Sequence, residues 1–305
     1  MAERKSLRQR LSERTTVGTY KAGSLVARTL PMVAGPLASA SLGLTTNLLN
    51  PDKRRMLERH LRRVNPELRG NELRWAVQRA FDSYARYYVE SFKLPNLSAK
   101  TVARSFVLEG FEHVEASYAA GNGTIFALPH MGGWEWAGRW MTDHGYRMTV
   151  VVEELKPPEL FQWFVDLRQE LGMTVVPAGP LAGPAVLKAL RANEIVCLLS
   201  DRDLERNGVP VSFFGETTTL PAGPATLALR TKAPLLPVGV YFTDDGPGGH
   251  RAVVRPPLDV TRQGTLREDV ARITQNLADE LEALIRRAPE QWHLLQPNWP
   301  SDPGY

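Results

Sequence analysis

His130, Glu135, Glu153 and Asp201 are the side chains of this 305-residue chain whose types and positions suit proton transfer. An imidazole is the side chain whose ordinary titration lies nearest neutrality. A carboxylate that accepts its ring N–H fixes the tautomer and stabilises the imidazolium that forms on proton uptake. The segment Pro129-His130-Met131-Gly132-Gly133-Trp134-Glu135 holds two of the four. On a regular helix, residues five apart stand roughly 140° from one another, so His130 and Glu135 could not share a face. They can meet only if His130 sits in a turn ahead of the helix, which the glycine pair allows. In that turn, N–H groups at the helix start also point toward the site and suit an oxyanion or a phosphate.

These residues need a frame that brings them together. After residue 120 short apolar runs alternate with helical periodicity, the pattern of βα units and a largely parallel sheet. The runs predict strands over residues 124–128, 148–152, 174–176, 195–199, 234–241 and 251–254. His130, Glu153 and Asp201 then follow the first, second and fourth of these strands. Ligands of such sheets bind at the carboxyl ends of the strands, so the three polar groups are expected to converge on one edge. Whether His130 leans on Glu135 or on Asp201 is left open by the spacing. A late helix over 266–285 is marked by the stripe Leu266, Val270, Ile273, Leu277, Leu281 and Leu284 and by the capping box of Thr265 and Glu268.

The first third reads differently. Residues 1–105 hold 20 Lys and Arg against 8 Asp and Glu, and residues 106–305 hold 17 against 25, so a net charge of +4 conceals +12 and −8. Asn50-Pro51 reads as a helix N-cap followed by proline at the first helical position. The helix it opens carries Lys53, Arg54, Arg55, Arg59, Arg62 and Arg63, and a second amphipathic helix is predicted over 71–92. The expected organisation is a basic helical region over 1–105 and an α/β core over 106–305. A basic amphipathic surface suits an anionic membrane. Nucleic acid is disfavoured, because the part that carries the motifs is acidic. Residues 29–51 carry no charge, but Pro31, Gly35, Pro36 and several hydroxyl and amide side chains make a poor spanning helix. The amino terminus, with Glu3 and Glu13 among its basic residues, is a poor secretory signal.

Several chemistries fail on residue type. The lone Cys197 excludes a disulfide framework and a multi-cysteine zinc site, and its apolar neighbours mark it as a structural thiol. There is no Gly-x-Ser-x-Gly elbow, no His-Glu-x-x-His helix and no Walker loop. No metal is expected. With no nucleophile in view, direct transfer is the simplest reaction.

His130 to Glu135 matches the His-x-x-x-x-Asp/Glu motif of glycerolipid and lipid A acyltransferases. The blocks Asp201-Arg202-Asp203, Val211-Ser212-Phe213-Phe214-Gly215, Leu220-Pro221-Ala222-Gly223-Pro224-Ala225 and Pro289-Glu290-Gln291-Trp292-His293 follow in family order. Over residues 70–300 the chain therefore resembles the lipid A acyltransferase superfamily. Leu155-Lys156-Pro157 and the ending from Trp292 to Pro297 are most similar to the actinobacterial phosphatidylinositol mannoside acyltransferases.

The resemblance implies a glycerolipid acyltransferase-like α/β fold. It also implies an enzyme that passes a fatty acyl chain, expected to be palmitoyl, from acyl-CoA to a mannose hydroxyl of a mannosylated phosphatidylinositol lipid. His130 would act as base, and Asp201 or Glu135 would hold its ring. Glu153, Arg168 and Arg202 would bind substrate, the arginines through phosphates. Of three tryptophans that could line the acyl groove, Trp136 and Trp140 share a helical face and suit core packing. No cofactor beyond the co-substrate acyl-CoA is implied. The expected location is peripheral, on the cytoplasmic face of the plasma membrane. The rival readings are transfer to a lipid A type or other glycolipid acceptor, and hydrolysis of acyl-CoA by a thioesterase.

Overall fold

The computed structural model describes residues 7–179, 181–244, 246 and 248–305. Residues 1–6, where the stretch read as a poor secretory signal begins, lie outside the described residues. Helices α1 (Leu7–Thr29), α2 (Gly35–Leu49), α3 (Pro51–Val64), α4 (Gly70–Lys93) and α5 (Ala99–Arg104) come first. The sheet region then runs β1 (Phe106–Glu109), α6 (Phe111–Ala119), β2 (Thr124–Leu128), α7 (Trp134–Asp143), β3 (Met148–Val152), α8 (Pro158–Glu170), β4 (Thr174–Pro177), α9 (Ala182–Arg191) and β5 (Ile195–Leu199). It continues as β6 (Val209–Phe213), β7 (Glu216–Leu220), α10 (Gly223–Thr231), β8 (Leu235–Phe242), β9 (His250–Val254) and α11 (Leu266–Arg286). The six predicted strands are present. The sequence reading did not foresee β1, a short edge strand, or β6 and β7, a separate two-stranded antiparallel pair.

The seven-stranded sheet has the order β1-β9-β8-β2-β5-β3-β4, with every pair parallel except β8 and β9. Its two faces are separate apolar cores, as side-chain alternation along a strand requires. Ile125, Ala127, Val196 and Leu235 pack with Ile273, Leu277 and Leu281 of α11. Phe126, Leu128, Leu236 and Val238 pack with Trp136 and Met141 of α7. Central β2 is buried at all five residues, which is why it reads as an apolar run over 125–128 after Thr124. The capping box of Thr265 and Glu268 forms at the start of α11.

The basic helix α3 is only partly free to face a membrane. Met56, Leu57, His60, Leu61 and Val64 are buried. Arg59 pairs with Asp302 at 3.2 Å, and Arg63 pairs with Glu216 at 2.9 Å and Asp302 at 2.7 Å. Thus two of the expected lipid-facing arginines tie α3 to the carboxyl-terminal segment. Arg55 pairs within the helix to Asp52. The Asn50 cap also differs. Pro51 does open the helix, but the Asn50 amide donates to the Thr46 carbonyl of α2 and does not cap α3.

The stretch read as a poor spanning segment is helical, and Met32–Leu49 is long and apolar enough to cross a membrane by length and composition. Most of it is unburied. The small residues Gly35, Ser39 and Gly43 are its buried face, and Gly43 lies so near Asp82 of α4 that a Cβ there would collide with it. Leu37, Leu44, Leu48 and Leu49 point outward, each more than half exposed.

Candidate active site

The register of β2 and β5 sets the centre of the site. Leu128 pairs with Leu199, and two residues beyond each stand His130 and Asp201. The chain after β2 must turn sharply to enter α7. Gly132 takes φ +57°, and a Cβ on it would run into the Val240 carbonyl, so no other residue fits there without strain. The turn keeps His130 ahead of the helix with its ring beside β5. His130 Nδ1 lies 2.6 Å from Asp201 Oδ1, and the His130 backbone N–H donates to Asp201 Oδ2 at 3.1 Å. The Trp292 indole N–H donates to the same Oδ2 at 2.7 Å, and the Asn298 amide donates to the Asp201 carbonyl at 3.1 Å.

Asp201 is wholly buried. Burial alone would raise its carboxyl, but the His130 ring, the Trp292 N–H and the His130 backbone N–H hold it below the ordinary carboxylate value. An ionised Asp201 is an acceptor only, so Nδ1 carries the hydrogen and Nε2 keeps its lone pair. Nε2 has no hydrogen-bond partner among the described residues. The partner of His130, left open by spacing, is therefore Asp201.

Glu135 lies elsewhere. It is 2% exposed, and its Oε1 accepts from Arg168 Nη2 at 2.7 Å and from the Tyr87 hydroxyl at 2.8 Å. Sitting in the first turn of α7, it reaches toward α8 and α4 and makes no contact with His130. Tyr87 titrates well above its usual value, first through burial and then through the Glu135 charge. Arg168 thus turns inward, although Asp166 and Glu170 flank it on its own helix.

Glu153 stands on the expected sheet edge, but it does not join the His130 pair. It binds Arg202 Nη2 at 2.6 Å. Arg202 thus pairs with Glu153 and not with its sequence neighbours Asp201 and Asp203. The six residues therefore form a dyad and two ion pairs, each joining a carboxylate to a donor that a different element brings beside it.

Two cavities meet at these groups. One is lined by His130, Glu153, Arg168, Arg202, His293 and three tyrosines, 84, 87 and 88. The other is an apolar slot between one face of the sheet and α7, lined by Phe126, Val150, Cys197, Val238, Gly138 and Met141 among others. Trp134, Val152, Arg168 and Leu199 line both, so the polar cavity and the slot adjoin at these side chains. Cys197 is raised to about 12 by burial, which leaves it a thiol and a poor nucleophile. Trp134 lines the slot, whereas Trp136 stacks on His250 at 4.3 Å and Trp140 on His144 at 3.8 Å. Among the described residues no three His, Cys, Asp or Glu side chains are grouped to hold a metal.

Sequence reasoning missed Tyr87, Trp292 and Asn298 as site residues. Tyr87 lies within the helix predicted over 71–92, outside every motif. Trp292 and Asn298 lie more than ninety residues beyond Asp201, with no periodic signal to link them.

An imidazole with a free Nε2, an ionised partner and an adjoining apolar slot can deprotonate a hydroxyl next to a bound alkyl chain. Comparison with known proteins agrees with that chemistry. A family model described as bacterial lipid A biosynthesis acyltransferase matches residues 4–301. A phosphatidylinositol mannoside acyltransferase of Mycobacterium tuberculosis is 43% identical over 228 residues, covering 73% of this chain and 70% of that protein. One of Mycolicibacterium smegmatis is 41% identical over 229 residues, covering 74% and 73%. A lipid A biosynthesis acyltransferase of Haemophilus influenzae is 24% identical over 186 residues, covering 60% and 55%.

Proposed function

The chain belongs to the bacterial lipid A biosynthesis acyltransferase family and is an acyltransferase, and from that premise we propose that it moves a palmitoyl chain from acyl-CoA to a mannose hydroxyl of a phosphatidylinositol mannoside. The observation that carries this reading is that the dyad's polar cavity adjoins the apolar slot across shared lining residues. The acyl tail lies in the slot, which brings the thioester carbonyl to the mouth beside His130. Nε2 takes the proton of the mannose hydroxyl as its oxygen attacks that carbonyl. Asp201 stabilises the imidazolium through Nδ1. The tetrahedral intermediate collapses with cleavage of the C–S bond, and the imidazolium returns its proton to the thiolate. No acyl-enzyme forms, and Cys197 takes no part. Arg202, whose Nε is buried without a partner, is the group for a substrate phosphate.

Mass spectrometry of purified protein with palmitoyl-CoA and a panel of mannosylated lipids tests the reading. Acylated phosphatidylinositol mannoside and stoichiometric free CoA are expected. Free palmitate alone would make the protein a thioesterase, and acylation of only a lipid A type acceptor would move it to that substrate.

The enzyme works at the cytoplasmic surface of the plasma membrane, where acyl-CoA and lipid acceptor meet. Helix α2 supports this location. Its small face packs on α4 and its leucines face solvent, the reverse of a helix that serves a soluble core. Burying one such leucine in lipid contributes roughly 1.5–3 kcal/mol. Leu37, Leu44 and Leu48 changed together to Ser should therefore abolish co-sedimentation with anionic liposomes. The melting temperature and the turnover of a water-soluble acceptor should stay near wild type. Undiminished sedimentation of the triple variant would remove α2 from the membrane contact.

A further inference from the structure

We propose that Trp292 is a positioning residue, and that residues 291–293 form a clasp holding both members of the His130–Asp201 dyad in place. The backbone of this segment pairs with the His130 turn. Gly132 N–H donates to the Gln291 carbonyl at 3.0 Å, His293 N–H donates to the His130 carbonyl at 2.6 Å, and Met131 faces Trp292 as an antiparallel bridge. From the same residue the Trp292 indole reaches the other member, donating to Asp201 Oδ2 at 2.7 Å. One short segment thus fixes the turn that carries the base and the carboxylate that orients it.

The clasp is anchored at both ends. The Gln291 amide bonds both ways with the Phe242 backbone, accepting from its N–H at 2.7 Å and donating to its carbonyl at 3.1 Å. Downstream, Asp302 accepts the backbone N–H of Asn298 and of Trp299, and Arg63 lies 4.2 Å over the Trp299 ring. Trp292 itself is 3% exposed and packs among Phe214, His60 and Trp299. It is not among the residues that line either cavity, so it acts through Asp201 and not on substrate.

The inference rests on the general-base reading of His130 and adds to it a donor that sets how strongly Asp201 holds protons. The titratable groups facing Asp201 are His130, in direct contact, and His293, pushed down to about 3 by burial and by the neighbouring His130. Arg202, the next residue, is engaged by Glu153. Trp292 is among the groups that lower the Asp201 carboxyl. Without its N–H the carboxyl moves up, and a dyad deprived of that donor retains protons to higher pH.

Two variants of the full-length protein test this: Trp292→Phe, and replacement of Trp292 by 3-benzothienylalanine, which keeps the ring volume and lacks the N–H. Both should lower kcat by about ten- to a hundredfold, the worth of one hydrogen bond to a charged group. KM for palmitoyl-CoA and for the acceptor should hold. The acid limb of the pH–kcat profile should move up by about one to two units. If Trp292→Phe unfolds, the isosteric variant carries the test. Wild-type kcat and an unshifted acid limb in the isosteric variant would overturn the proposal, and so would a change confined to KM. The parent reading fails separately, through retained activity of His130→Ala.

Discussion

Replacing His130 by Ala should abolish acyl transfer while leaving the fold intact. The side chain stands in a turn, 23% exposed, and no apolar core depends on it. Its loss removes the base that takes the hydroxyl proton and the acid that serves the departing thiolate, each step worth roughly 10²–10⁴ in rate. The turn stays, because it is held by the Gly132 conformation and by backbone bonds from Gln291 and His293. Single-turnover assays with palmitoyl-CoA, read with near-ultraviolet circular dichroism, check both halves. A folded variant that still transfers acyl chains at the wild-type rate would sink the mechanism.

Asp201→Asn and Glu135→Gln should fail in different ways. Asp201 Oδ2 takes two N–H donors, so an Asn there keeps its oxygen toward them and turns its NH₂ toward His130. The ring must then accept at Nδ1 and carry its hydrogen on Nε2, where it cannot act as base. A loss of about 10³–10⁴ in kcat follows, as in triads whose orienting carboxylate is amidated.

The wild-type acid limit follows from the same carboxylate. Asp201 is depressed below its ordinary value, so its contribution to stability is present above the usual carboxylate range and is lost only as pH falls through the lowered value. Between pH 5 and 8 its charge should be constant. Glu135→Gln leaves the dyad untouched but removes the charge opposite Arg168, whose side chain is 13% exposed. A stability loss of order 3 kcal/mol is expected, with kcat of the folded protein within about tenfold of wild type. Thermal melts and active-site-normalised kinetics separate the outcomes. Wild-type turnover in Asp201→Asn, with loss only in folded Glu135→Gln, would reverse the two roles.

What was local in the chain was legible from the chain. The apolar run of 125–128 reads as a buried strand, since central β2 is covered on both faces and is buried at every residue. The stripe and capping box of α11 read as a helix with a defined start. His130 and Asp201 read as strand-end residues, and the glycines beside His130 as the turn that keeps it off the helix. These properties depend on periods of two or 3.6 residues and on the conformational range of single residues.

The tertiary structure decided the pairings. The strand order puts β5 directly beside β2, and only then does the matched register bring Asp201 to His130 and leave Glu135 to Arg168 and Glu153 to Arg202. The α3 arginines show the same division. Their basic face is plain in the sequence, yet Arg59 and Arg63 are taken up by Asp302, more than two hundred residues away. The outward leucines of α2 became visible only once Gly43 was seen against Asp82. A charge or a donor reports its type along the chain, but its partner is set by contacts between elements far apart in sequence, and no local period encodes those.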